Sequence, residues 1–180
     1  VAPGAYDPAV ARGAGEKLVS RLDSFIRRMQ AQRDCLNAAA ELISDIPGAV
    51  FDLGLGNGRT FDHLRETLPG REVFVFDRVV NANPKSTPDE DHLFLGEVVD
   101  QLAAQQDRFV GGVALVHSDL GTGTAEDAPL TAALIPLLRP LLAGGAVLVA
   151  NNPFPDAGWE LLPLPDGVPA ERYFMYRVSA

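Results

Sequence analysis

The chain reads as a single α/β domain of three layers, α/β/α, with a mostly parallel sheet closed by an antiparallel C-terminal hairpin and preceded by N-terminal helical sequence. Three observations predict this. Short, nearly all-apolar runs such as AVFDLG and GGVALVHSD have the pattern of strands buried on both faces. They alternate with helical periodicities, which implies βαβ crossovers and helices on both sides of the sheet. Near the end, WELLPL and ERYFMYRV flank the turn Pro165-Asp166-Gly167, the pattern of a hairpin.

From Gly15 to Asp45, Leu18, Leu22, Phe25, Ile26, Met29, Leu36 and Ile43 recur mostly at three- and four-residue intervals. Glu16, Arg21, Arg27, Arg28 and Asp34 occupy other faces, so this is one long amphipathic helix or two in succession. Pro47-Gly48 stops it and AVFDLG forms the first strand. After GLGNG, the residues Phe61, Leu64 and Leu68 share a helical face that Pro69-Gly70 ends. The alternation continues with strand REVFVFD, a polar stretch from Arg78 to Asp91, strand HLFLG and helix EVVDQLAAQ. GGVALVHSD, a helix over Leu130 to Leu142, and strand GAVLVANN complete it before the hairpin. Pro84 and Pro88 make residues 81–91 a poor helix, and residues 151–158 leave little room for another.

At 180 residues the chain suits one domain and is too short for separate cofactor and substrate domains. The expected division is an N-terminal arm over 1–14, flexible or docked, and one domain over 15–180, made of a helical cap (15–45) and the sheet core (46–180). Fifteen Lys and Arg against 24 Asp and Glu give a net charge of -9, which disfavours nucleic acid and anionic lipid as partners. One cysteine, Cys35, permits no internal disulfide and, with three scattered histidines, offers no metal-ligand spacing. With no apolar secretory segment at the start, the expected compartment is reducing cytoplasm. Leu130 to Ala150 is broken by Pro136, Arg139, Pro140 and Gly144-Gly145, so it is a helix, a turn and a strand rather than a membrane span.

In an open α/β sheet a ligand binds beyond the carboxyl ends of the strands, and the first strand-to-helix turn is its usual place. That turn reads Phe51-Asp52-Leu53-Gly54-Leu55-Gly56-Asn57-Gly58-Arg59-Thr60. Its glycines permit positive φ and close backbone approach, and the following helix aims free N–H groups at the same spot. A dinucleotide fingerprint, G-x-G-x-x-G, fails in both registers, because the third position is Arg59 or Phe61. Asp-x-Gly-x-Gly-x-Gly instead resembles motif I of the class I S-adenosylmethionine-dependent methyltransferases. The resemblance, from about Ile46 onward, implies a Rossmann-like, seven-stranded sheet with a reversed last strand and S-adenosylmethionine as cofactor. The match is to a trimmed core, similar to small bacterial S-adenosylmethionine methyltransferase-like proteins of unassigned substrate.

By this similarity the loop Gly54 to Thr60 curls under the amino-acid part of the cofactor, and Asp52 helps to hold the loop and the cofactor's amino group. Asp77 ends the second strand 25 positions after Asp52, where a carboxylate about 4.8 Å away across parallel strands accepts ribose hydroxyls. Arg78 follows it. Gly96-Glu97 matches the family's acidic position near the adenine amino group, although Glu97 also suits a helix N-terminus. His117-Ser118-Asp119-Leu120 ends the fourth strand, which in the family borders the methyl group and the acceptor. Asp119 is the first candidate for a general base and His117 the second, although His117 reads first as a buried, hydrogen-bonded core histidine. Arg27, Arg28, Arg33 and Arg59 are candidate partners for the cofactor carboxylate, although arginines on such a helix usually face water.

Asn151 to Phe154 invites comparison with the Asn-Pro-Pro-Tyr motif of amino-methylating enzymes, but that motif follows the fourth strand and this one the fifth, so no role is carried over. Trp159 is read as a core or interface residue. The expected activity is in-line methyl transfer to a small acceptor, with no metal and no membrane, in a chain capable of homodimerisation or higher assembly. Two rival readings are a cofactor-binding module without catalysis and a nicotinamide or other nucleotide-binding oxidoreductase.

Overall fold

The computed structural model describes residues 19–122, 124–155, 159–170 and 172–179. The expected arm over 1–14 lies outside the described residues. The first helix, α1 (Arg21–Leu42), starts at Ser20, whose side chain accepts a 2.9 Å hydrogen bond from the Asp23 amide and donates to the Asp23 carboxylate. It is a single helix rather than two. Its second half is rooted in the core through Ala31, Cys35, Leu36 and Ala39. Its first half leaves Leu22, Phe25 and Ile26 exposed.

Strands β1 (Ala49–Leu53), β2 (Val73–Asp77), β3 (Leu93–Leu95), β4 (Val113–Ser118), β5 (Leu142–Ala150), β6 (Trp159–Leu161) and β7 (Phe174–Val178) form one sheet. Their spatial order is β3-β2-β1-β4-β5-β7-β6. The first five are parallel, and β7 runs antiparallel between β5 and β6. The order reverses between β1 and β4, so the carboxyl ends of these strands open the crevice in which α/β sheets bind ligands.

Helices α2 (Arg59–Thr67), α3 (Val98–Ala104) and α4 (Ala128–Leu138) complete the layers. Because side chains alternate along a strand, each strand feeds two cores. Val50, Val75, Leu115 and Val149 pack under α1 and α2. Phe51, Phe76, Val116 and Leu148 fill the opposite side with α3 and α4. The interlocking rings of Phe51, Phe74, Phe76 and Phe109 dominate that second core, with centroids 4.7 to 6.3 Å apart.

Two boundaries differ from the sequence expectation. The helix predicted over 130–142 ends at Leu138, and β5 already begins at Leu142, two residues before Gly144-Gly145. The glycines fall inside the strand, where Gly145 takes φ +81° and the β4–β5 register shifts. A shift of this kind lets an extra loop of strand bend without breaking the pairing on either side. Between β2 and β3 the chain forms only two short 3₁₀ turns, Pro84–Ser86 and Glu90–His92, as the prolines require. Residues 151–155 carry no helix. Among the described residues no helix is long and apolar enough to cross a membrane.

Candidate cofactor site

A cavity of about 560 Å³ opens at the carboxyl ends of β1, β2 and β4, beneath the first half of α1. Its floor is the β1–α2 turn, contributed by Gly54, Leu55, Gly56 and Asn57, with Arg59 and Thr60 of α2 beyond them. Gly54, Gly56 and Gly58 all take positive φ, at +103°, +50° and +79°. The glycines nevertheless do different jobs. A Cβ on Gly56 would meet nothing within 4 Å, so this residue presents bare backbone. A Cβ on Gly58 would lie 2.3 Å from the Ser86 carbonyl oxygen. Gly58 is absent from the cavity wall, and its missing side chain makes room for the 3₁₀ turn after β2.

Asp77, at the end of β2, reaches the wall and holds the loop. Its Oδ2 accepts from the Gly56 amide at 3.1 Å, and its Oδ1 accepts from the amides of Arg78 and Val79 at 2.6 and 3.3 Å. Arg78 and the Gly96-Glu97-Val98 corner line the far side. Glu97 precedes α3 as its N-cap residue without making a side-chain capping bond, and its carboxylate is 4.0 Å from Arg78.

Asp119 follows β4 and lines the cavity with Leu120. One guanidinium nitrogen of Arg28 lies 2.7 Å from each of its carboxylate oxygens. Burial works against the charge of Arg28, but the Asp119 carboxylate more than offsets this and keeps the guanidinium protonated beyond its usual range. Of the arginines weighed from the sequence, Arg28 enters the cavity wall, Arg59 lies there with its guanidinium 5.8 Å from the Phe25 ring, and Arg33 turns away to pair with Asp34.

Besides Gly58, two further predicted site residues sit behind the wall rather than on it. Asp52 and His117 are direct partners across β1 and β4, both wholly buried, with Asp52 Oδ1 2.8 Å from His117 Nδ1. His117 is therefore the buried, hydrogen-bonded histidine of the sequence alternatives, and its second ring nitrogen faces Gln32 at 3.2 Å. Burial pushes the Asp52 carboxyl up, the His117 hydrogen bond pulls it down, and the charges of Asp119 and Asp77 add to the upward push. Among the described residues Asp52 Oδ2 is buried without a hydrogen-bond partner.

Sequence reasoning missed the α1 contribution, which is Phe25, Met29 and Gln32 beside Arg28. Their spacing, 25-28-29-32, is one helical face, and it was legible as such. The resemblance implied a helical cap over the pocket, but nothing in the sequence said which face of it overhangs the glycine loop. Among the described residues no group of three or more His, Cys, Asp or Glu is placed to hold a metal.

The residues fit an S-adenosyl nucleoside on this structure's own terms. Bare backbone at Gly56 admits close approach, a strand-end carboxylate stands beside it, and the Arg28–Asp119 pair is the charge complement of an α-amino-acid zwitterion.

Comparison with known proteins agrees. A family model described as S-adenosyl-L-methionine methyltransferase matches residues 19–178. The crystal structure of an S-adenosyl-L-methionine methyl transferase from Silicibacter pomeroyi is 43% identical, with a TM-score of 0.84, over 89% of this chain and 99% of that one. More distant folds include a putative methylase from Haemophilus influenzae (15% identity, TM-score 0.56, 83% of this chain and 88% of that one). A protein-(glutamine-N5) methyltransferase from Alicyclobacillus acidocaldarius is similar in fold (15%, 0.52, 86% and 93%). No curated protein matches. With the glycine turn, the strand order and the matched model in agreement, this chain belongs to the S-adenosyl-L-methionine methyltransferase family.

Proposed function

We propose that the 560 Å³ cavity holds S-adenosylmethionine with its amino-acid end between Arg28 and Asp119, its ribose at Asp77 and its adenine toward Gly96, Glu97 and Val98. The observation that carries this reading is the hydrogen bond from Gly56 to Asp77, which brings the glycine loop and the strand-end carboxylate to one wall of one cavity. When bound, the sulfonium supplies an electrophilic methyl group, and the protein's part is positioning.

Each chain residue has a task in that positioning. Gly56 keeps the floor free of a side chain, and Gly54 leaves room for the Asp119 backbone and Leu120 against the loop. Arg28 receives a carboxylate and Asp119 an ammonium, which replaces one ion pair by two charge-assisted contacts of the same kind. Asp119 already accepts from Arg28 and Gln32, which favours a binding role over service as a base. Phe25 and Met29 cover the cavity and exclude water. An acceptor that needs no deprotonation, such as an amine or thiolate, suits this arrangement. The net charge of -9 further supports a small-molecule acceptor over nucleic acid.

The test is ligand-dependent melting. S-adenosylmethionine and S-adenosylhomocysteine are expected to raise the melting temperature, because a ligand selective for the native state stabilises it by mass action. NAD and NADP are expected to leave it unchanged. A shift with NAD alone defeats the reading and restores the oxidoreductase alternative.

A further inference from the structure

We propose that Gln32 is a positioning residue of the cofactor site, oriented by the buried Asp52–His117 pair, and that this pair acts on the site through Gln32 rather than as a proton acceptor. The inference rests on the reading of the cavity as the S-adenosylmethionine site.

Gln32 is buried, and its side-chain nitrogen stands among three groups: Thr60 Oγ1 at 3.2 Å, His117 Nε2 at 3.2 Å and Asp119 Oδ2 at 3.3 Å. Thr60 and Asp119 both line the cavity, whereas His117 is fully enclosed. The carboxylate of Asp119 can only accept, so the amide nitrogen and not its oxygen must face this cluster. An N–H directed at His117 Nε2 then requires a lone pair there. That leaves the ring's proton on Nδ1, where it donates to Asp52 Oδ1 at 2.8 Å. One self-consistent chain of donors thus runs from Arg28 and Gln32 into Asp119, from Gln32 into His117, and from His117 into Asp52.

The arithmetic of the fork has a consequence for the ligand. An amide nitrogen carries two hydrogens and meets three acceptors, so one acceptor is always served poorly. Asp119, the most distant of the three and a full negative charge, gains most from an incoming cationic group. An ammonium that engages Asp119 fills the acceptor capacity that Gln32 leaves over, while the Gln32 N–H stays on Oδ2 and holds the carboxylate in place for the ligand. The Asp52–His117 pair contributes by holding the amide in the one orientation that aims donors, rather than the carbonyl oxygen, at the cavity wall. Because Asp52 and His117 are paired across adjacent strands, this orientation is set by the sheet itself.

The experiment is calorimetric titration of S-adenosylhomocysteine into the full chain and its Gln32→Met, Asp119→Ala and doubly substituted forms, each checked for a native melting transition. Methionine keeps the side chain's length and volume while removing both N–H groups. Gln32→Met is expected to weaken binding at least tenfold, and to weaken it less than threefold when Asp119→Ala is already present, because the two changes break the same contact. Binding within twofold of the unaltered chain, or effects that multiply, overturns the inference and leaves the cavity reading intact. Absence of heat with the unaltered chain overturns the cavity reading and this inference together. Should Gln32→Met fail to fold, nitrogen-15 NMR of the unaltered chain decides: a His117 ring protonated at Nδ1 alone supports the inference, and one protonated at Nε2 overturns it.

Discussion

Arg28 in the second turn of α1 and Asp119 just after β4, 91 positions apart in sequence, meet at 2.7 Å on the wall of the cavity proposed for the cofactor. The pair ties the half-exposed start of α1 to the sheet and sets a cation and an anion side by side on the cavity wall. A guanidinium left 43% exposed adds little to stability by such pairing, so under the proposed reading its value lies in binding.

Arg28→Met is therefore expected to weaken S-adenosylhomocysteine by tenfold or more while changing 5′-methylthioadenosine, which lacks the amino-acid end, by less than twofold. Tenfold corresponds to about 1.4 kcal/mol, the low end for a charge-assisted hydrogen bond. Parallel calorimetry with the two ligands checks this, and equal losses would place Arg28 elsewhere in the site.

The two loop glycines separate binding from folding. Gly56→Ala places its methyl in open space at φ +50°, so about 1 kcal/mol of stability is the expected loss, with a larger effect on ligand affinity. Gly58→Ala drives a methyl against the Ser86 carbonyl, and a loss of about 3 kcal/mol or more is expected. Urea denaturation with and without S-adenosylhomocysteine distinguishes them, and the reverse ranking would refute the assignment.

A surface pair gives a pH signature. The Asp89 hydrogen bond holds His92 protonated above its ordinary value of 6.5, and His92 in turn holds Asp89 below its ordinary 3.8. A raised histidine stabilises the fold fully below 6.5 and loses that contribution as pH climbs through its folded value. A lowered carboxyl contributes above 3.8 and loses its share as pH falls. Asp89→Asn, which keeps the cap on the His92 amide, is thus expected to lower the melting temperature most between about pH 4 and 6.5. The difference should fade by pH 9. A difference independent of pH would show that the pair is not ionic.

Cys35 is wholly enclosed under α1, and burial, with help from Asp34, pushes its thiol up to about 12. Native protein at pH 8 is expected to resist alkylation, with labelling appearing only as urea removes the helical signal. Rapid stoichiometric labelling of the folded chain would contradict the packing of α1.

The layers and the strand alternation were readable because buried parallel strands and amphipathic helices write their periods directly into sequence. The glycine turn was equally plain, since Gly54 and Gly56 answer a local backbone need. The end of α4 was not: Leu141 and Leu142 continue an apolar run that either a helix or a strand accepts, and only pairing with β4 decides between them. His117 was legible as a buried core histidine, two residues back from Asp119, but its partners Asp52 and Gln32 were not, because they lie 65 and 85 positions away.

Sequence by itself determined the glycine turn after the first strand and the carboxylate that ends the second, because these follow from residue type and spacing along one βαβ unit, while the cofactor class was implied by the family that this turn resembles. Which arginine of α1 turns inward, which glycine faces the cavity and which faces Ser86, and the bond from Gln32 to His117 were decided only in three dimensions. Those contacts join segments tens of residues apart, and only the packing of α1 on the sheet and of the turn after β2 on the glycine loop sets them.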